Sequence, residues 1–160
     1  MKKYFFLIFA ILSTVTAIGQ SIVKTSTDQD TSYIPLKAYN GDARGYIIHN
    51  FIDNKRKYIG KELNVLLKDL ELQVVSCLFT MSDMNFNISE SIRLDVRSTA
   101  KIKEGYTTPL NPVDIIIVWS KPLPYDSIRN LDKEHLYLWT SIKRNYFGKQ
   151  TVKNILTTRW

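Results

Sequence analysis

Three patterns predict an α+β fold in which two N-terminal helices pack on a small antiparallel sheet. Apolar residues from Tyr46 to Leu70 recur at helical spacing with a single interruption at Gly60. Residues 72–80 and 86–96 then change to strand-like patterns, and 113–119 is a run dominated by β-branched residues. Helices come first and strands follow, a segregation that implies α+β rather than an alternating α/β arrangement. The predicted order is helix, helix, strand, strand, strand, then a mixed helix/strand C-terminal section.

The first helix starts at Asp42, a residue type that caps helix N-termini by accepting a backbone N–H. Ile47, Ile48, Phe51 and Ile52 form its apolar stripe, extended by Tyr58, which leaves Asn50, Asp53, Asn54 and Lys57 on the other side. Gly60 suits the left-handed position that ends a helix. Leu63, Leu66, Leu67 and Leu70 then make the buried face of a second, short helix, with Lys61, Asn64, Lys68 and Asp69 turned to solvent.

Leu72 to Thr80 is apolar on both sides in its second half, so the expectation is a strand covered on both faces. After a turn at Met81–Asn85, the chain alternates cleanly. Phe86, Ile88, Ile92, Leu94 and Val96 point one way and Asn87, Ser89, Ser91, Arg93 and Asp95 the other, with Glu90 breaking the pattern. Residues 98–112 hold Gly105, Pro109 and Pro112 among polar side chains and read as a long loop. Val113 to Trp119 is expected at a central position in the sheet, stopped by Lys121-Pro122-Leu123-Pro124. Beyond it, Asp126 or Ser127 caps a short helical turn through Ile128 and Leu131. Leu136–Trp139 suits a fourth strand or the start of a helix. Leu138, Ile142 and Tyr146 at intervals of four favour a helix ending at Gly148, and 151–158 suits helix and strand equally.

Residues 1–19 have the layout of a secretory signal peptide. Lys2 and Lys3 precede an apolar run, Tyr4 to Leu12, too short to span a bilayer, and Ser13 to Gly19 supplies small residues for cleavage. The expected cut follows Gly19, with Ala17 as the alternative. The expected division is signal peptide 1–19, an exposed N-terminal segment 20–42 rich in Ser, Thr and Asp, and one α+β domain at 43–160. Cleavage removes two lysines and leaves 20 basic against 15 acidic residues, a net charge of +5, with Lys55-Arg56-Lys57 the only basic run of three. Scattered charge and export together argue against a nucleic-acid partner. Cys77 is the only cysteine, so no internal disulfide forms, and its apolar neighbours predict burial.

The chain is similar in element order to small bacterial envelope proteins such as the outer-membrane assembly lipoproteins and the secreted β-lactamase inhibitor proteins. The similarity assigns no residues and implies a binding role.

Candidate chemistry is sparse. His49 and His135 are the only histidines, too few for the clustered ligands of a hydrolytic metal site, and no metal or cofactor is implied. Cys77 with His135 would make a nucleophile and base only if Cys77 were exposed. Glu90 is the possible functional acid, because it replaces an apolar residue on a face read as inward. Tyr106 in the long loop, Tyr125 beside the proline pair and Trp160 at the C-terminus are the candidate binding residues, since Tyr and Trp are favoured where a ring is half buried and half in contact with a partner. These features favour an exported, non-enzymatic binding module of the bacterial envelope, periplasmic or extracellular, with an envelope or secreted protein as partner and no transmembrane segment after cleavage. Two alternatives stand beside it: an enzyme acting on envelope polysaccharide or peptide through Glu90, Cys77 or His135, and a structural subunit of a secreted assembly that lends its N-terminal segment as an added strand.

Overall fold

A computed structural model of the protein describes residues 32–97, 113–133 and 136–158. The fold is α+β: a four-stranded antiparallel sheet in the order β1-β2-β3-β4, with short helices before it and between its last two strands. The strands are β1 (Gln73–Met81), β2 (Ile88–Arg97), β3 (Val113–Pro124) and β4 (Val152–Leu156).

The helical section begins as its residues predict. The Asp42 carboxylate accepts the Gly45 N–H at 2.9 Å and starts α1 (Ala43–Ile47). The helix then widens into a π-type turn, Ile48–Asp53, and tightens into a 3₁₀ turn, Lys55–Lys57. A π turn closes each hydrogen-bonded ring one residue later than an α turn and so rotates the side chains that follow. That rotation corrects one expectation: Asn50 is buried rather than solvent-facing. Its amide donates to the carbonyls of Ile34 (2.9 Å) and Tyr46 (3.1 Å), and its Oδ1 accepts the Ile34 N–H at 2.9 Å. Gly60 has φ +78° and turns the chain into α2 (Leu63–Asp69), which buries Leu63, Leu66 and Leu67.

Residues 33–39 lie across this helical layer, with Tyr33, Leu36 and Tyr39 packed on the core. A tyrosine cluster fixes them. The Tyr33 hydroxyl lies 2.6 Å from a Glu71 carboxylate oxygen and 2.9 Å from the Tyr46 hydroxyl, while Tyr46 donates to the Asp69 carbonyl and accepts the Glu71 N–H. Tyr58 donates to the Asp69 carboxylate at 3.1 Å, and Lys57 pairs with the same carboxylate at 2.8 Å while lying over the Tyr33 and Tyr58 rings.

Sheet register explains the core. Phe79, Ile92, Ile117 and Ile155 form one row across all four strands and Cys77, Leu94 and Ile115 the next. These residues belong to the same apolar cluster as Tyr46, Phe51, Tyr58 and Leu66, Phe79 at its half-buried margin. The intervening rows, Leu78-Arg93-Ile116-Leu156 and Ser76-Asp95-Asp114, lie on the opposite face. One face is therefore covered by the helical layer, and on the other Arg93 pairs with Asp114 at 3.7 Å and Arg97 with Asp95 at 3.0 Å.

Several boundaries differ from the expectation. β2 begins at Ile88, and Phe86 sits in the preceding turn, largely exposed, instead of on the inward face. β1 is covered on one face only, since Cys77 is buried while Leu78, on the other face, is exposed, and it is an edge strand that only β2 pairs along its full length. β3 continues through Pro124 rather than stopping at Lys121. Between the pairs Ser91–Val118 and Ser89–Leu123, residues 119–122 have no partner in β2, so Pro122 removes no ladder bond there. β4 resolves the ambiguity at 151–158 in favour of a strand. Helix α3 (Tyr125–Asp132) buries Ile128. Helix α4 (Ser141–Phe147) starts after Thr140, whose hydroxyl accepts the Lys143 N–H, and reaches its C-cap at Gly148. Its buried side carries Lys143 and Phe147, while Ile142, read as part of the apolar face, is exposed.

Candidate interaction surface

The sequence-predicted residues do not gather into one site. Tyr106, Trp160 and His135 lie outside the described residues. Tyr125 opens α3 and is half buried, its ring centroid 6.1 Å from that of Phe79 on β1 and its N–H donated to the Asn87 carbonyl at 2.8 Å. His49 lies in the helical layer, 3.4 Å from the Ser32 carbonyl, and Cys77 is buried in the core.

Glu90 is exposed instead of inward. Thr80 pairs with Ser91 and Met81 with Ser89, so Glu90 is the extra residue of a β-bulge and its side chain falls out of phase with the strand. The neighbouring Ser89 takes the buried position, with its hydroxyl 3.0 Å from both the Thr80 and Ser91 carbonyls. Among the described residues no three His, Cys, Asp or Glu side chains converge on a point where a metal ion would be held.

The residues that do converge are apolar and exposed. Leu136, Tyr137, Leu138 and Ile142, with Leu78 of β1, are between 39 % and 63 % exposed. Tyr137 and Leu138 lie against the outer edge of β1, where Leu78 is exposed; Leu136 adjoins them in the chain and Ile142 is in the first turn of the helix that follows. Cys77 donates its N–H to the Tyr137 carbonyl at 2.7 Å, Trp139 donates to the Val75 carbonyl at 3.1 Å, and the bridge pairs Ser76 with Leu138. Residues directly opposed in an antiparallel pair project to the same face, so Leu138 stands with Ser76 and Leu78 on the face away from the helical layer. Tyr137 has φ +63°, and this left-handed backbone ends the pairing after one bridge. Farther along the hairpin, Met84 and Phe86 are 97 % and 72 % exposed on a turn held by Ser82 N–H to the Ile88 carbonyl and Asn85 N–H to the Ser82 carbonyl.

Sequence reasoning missed this margin because each of its residues had a buried alternative. Leu138, Ile142 and Tyr146 share helical spacing, and Leu78 lies mid-run between Cys77 and Phe79. A signal was present in Leu136-Tyr137-Leu138-Trp139, a large apolar run that fitted neither helix nor strand cleanly.

No helix among the described residues is long and apolar enough to cross a membrane. No family model matches the sequence, and no characterised protein or solved structure matches it.

Proposed function

We propose that this chain is an exported, non-enzymatic binding domain of the bacterial envelope, and that it takes a protein partner at the β1 margin formed by Leu78, Leu136, Leu138 and Ile142. The observation that carries this reading is that Leu78, Tyr137 and Leu138 are all exposed at one sheet edge, with the exposed Leu136 and Ile142 on the same short stretch of chain. Exposed apolar residues scattered singly need no explanation, whereas a contiguous group marks a contact surface. Export rests on the charged, apolar and small-residue sequence of positions 1–19.

The test places a photo-crosslinking amino acid at Leu138 or Ile142, and at the exposed Lys149 as a control, in the protein expressed with residues 1–19 in a bacterial host. The expected result is one discrete protein adduct from positions 138 and 142 and none from 149, with the recovered chain beginning at Gln20. Equal labelling from all three positions would sink the contact surface, and a chain retained in the cytoplasm with its first residues intact would sink export.

A further inference from the structure

The β1 margin contains unused backbone as well as apolar side chains. Cys77 points its N–H outward, to the Tyr137 carbonyl. Backbone groups along a strand alternate in direction with period two, and no register shift separates Cys77 from Phe79. The N–H and C=O of Phe79 therefore also point away from β2. Among the described residues nothing bonds either group, and no bridge follows that of Ser76 with Leu138.

This edge differs from the other one. The outer side of β4 is occupied at its start, where Gly60 donates to the Val152 carbonyl and Val152 donates to that of Lys61. Beyond that point Asn154 accepts Lys55 Nζ at 3.0 Å and the Ile155 N–H at 3.0 Å, with Lys153 exposed beside it. Proteins blunt edge strands with lysine, proline, bulges or covering chain, and β4 uses two of these devices. Leu78-Phe79-Thr80-Met81 has no charge and no proline, and the bulge opposite it places its extra residue in β2.

Resting on the binding reading above, we propose that the edge of β1 between Leu78 and Met81, unpaired among the described residues, accepts an extended segment of a partner polypeptide as a fifth strand. Phe79 supplies one donor and one acceptor. Leu78 and Leu138 then flank the added strand on the open face and Phe79 with Tyr125 on the other, so an incoming segment with apolar residues at alternate positions fits. A polypeptide in extended form satisfies the Phe79 groups in a way that a lipid surface cannot.

The test is selection of twelve-residue peptides from a random phage-displayed library on the purified protein, followed by amide hydrogen exchange and peptide N-methylation. Expected are peptides with apolar residues at every second position whose binding slows exchange of the Phe79 amide. N-methylation of the peptide residue whose N–H meets the Phe79 carbonyl should weaken binding about tenfold, with little effect at the residues on either side of it. Leu78→Lys should weaken the same peptides at least tenfold. Peptides that protect residues 136–142 but not Phe79, and tolerate N-methylation throughout, would overturn strand addition and leave the binding reading standing. Failure to select any peptide would count against both. A concentration-dependent dimer with Phe79 protected and no peptide uptake would give the edge to a second copy of the chain and overturn the partner-polypeptide assignment.

Discussion

Ser89 and Glu90 show how one extra residue redirects a strand. Strict alternation puts Glu90 inside and Ser89 outside, and both assignments invert because Glu90 is the unpaired member of a bulge. A strand's side-chain period is two, so one inserted residue shifts every later position to the other face. No local feature of Ser-Glu-Ser announces a bulge; its partner Thr80 lies on another strand. With its side chain in solvent, Glu90→Gln should change unfolding free energy by less than about 0.5 kcal/mol. Ser89→Ala should cost about 1 kcal/mol, because it leaves buried carbonyl capacity at Thr80 and Ser91 unmet. Urea denaturation of the two variants checks both values, and a larger loss from Glu90→Gln than from Ser89→Ala would contradict this account of the bulge.

Elements were legible where local chemistry decides them. Asp42 caps α1, Gly60 breaks the helical run and the β-branched residues of β3 occupy an internal strand, each for the reason read from the sequence. The boundaries that moved are set by distant partners: Pro122 is tolerated because β2 does not pair with residues 119–122, and β4 is a strand because β3 and residues 60–61 pair with it. Gly60 now has a sharper expectation. A Cβ there would meet nothing within 4 Å, so the cost of substitution comes from φ +78° alone. Gly60→Ala should lose about 1–2 kcal/mol and Gly60→Asn less, since Asn tolerates the left-handed region. Equal losses for the two variants in thermal or urea unfolding would point to steric crowding, which the structure does not contain.

Across the whole molecule, the tyrosine cluster joins three parts of the chain that sequence distance separates: residue 33, the helical layer at Tyr46 and Tyr58, and the turn at Asp69–Glu71 that leads into β1. Nothing in the spacing of these residues foretold it, for the same reason that the β1 margin was hidden; both depend on which segments the fold brings together. Burial raises the Tyr33, Tyr46 and Tyr58 hydroxyls above the ordinary tyrosine value; Glu71 adds to this at Tyr33, Asp69 adds to it at Tyr58, and both charges add to it at Tyr46, where hydrogen bonds from the Glu71 N–H and Tyr33 act the other way. A group whose pKa is raised by folding contributes stability that is complete below its unfolded pKa and is lost as pH rises toward the folded value. The unfolded value for tyrosine is about 10, so stability from this cluster should hold through neutral pH and fall above about pH 10. In urea titrations at pH 8 to 11.5, the midpoint should drop steeply at the alkaline end, and tyrosinate absorbance from these residues should appear together with unfolding. Tyr33→Phe should lower stability at pH 8 by about 1–2 kcal/mol, because the Glu71 carboxylate loses its hydroxyl donor and keeps only the longer bond from the Leu36 N–H, and should flatten the alkaline decline. If Tyr33→Phe falls with pH as steeply as the parent protein, the decline originates elsewhere, and the cluster does not hold residues 33–39 to the helical layer in the way its hydrogen bonds imply.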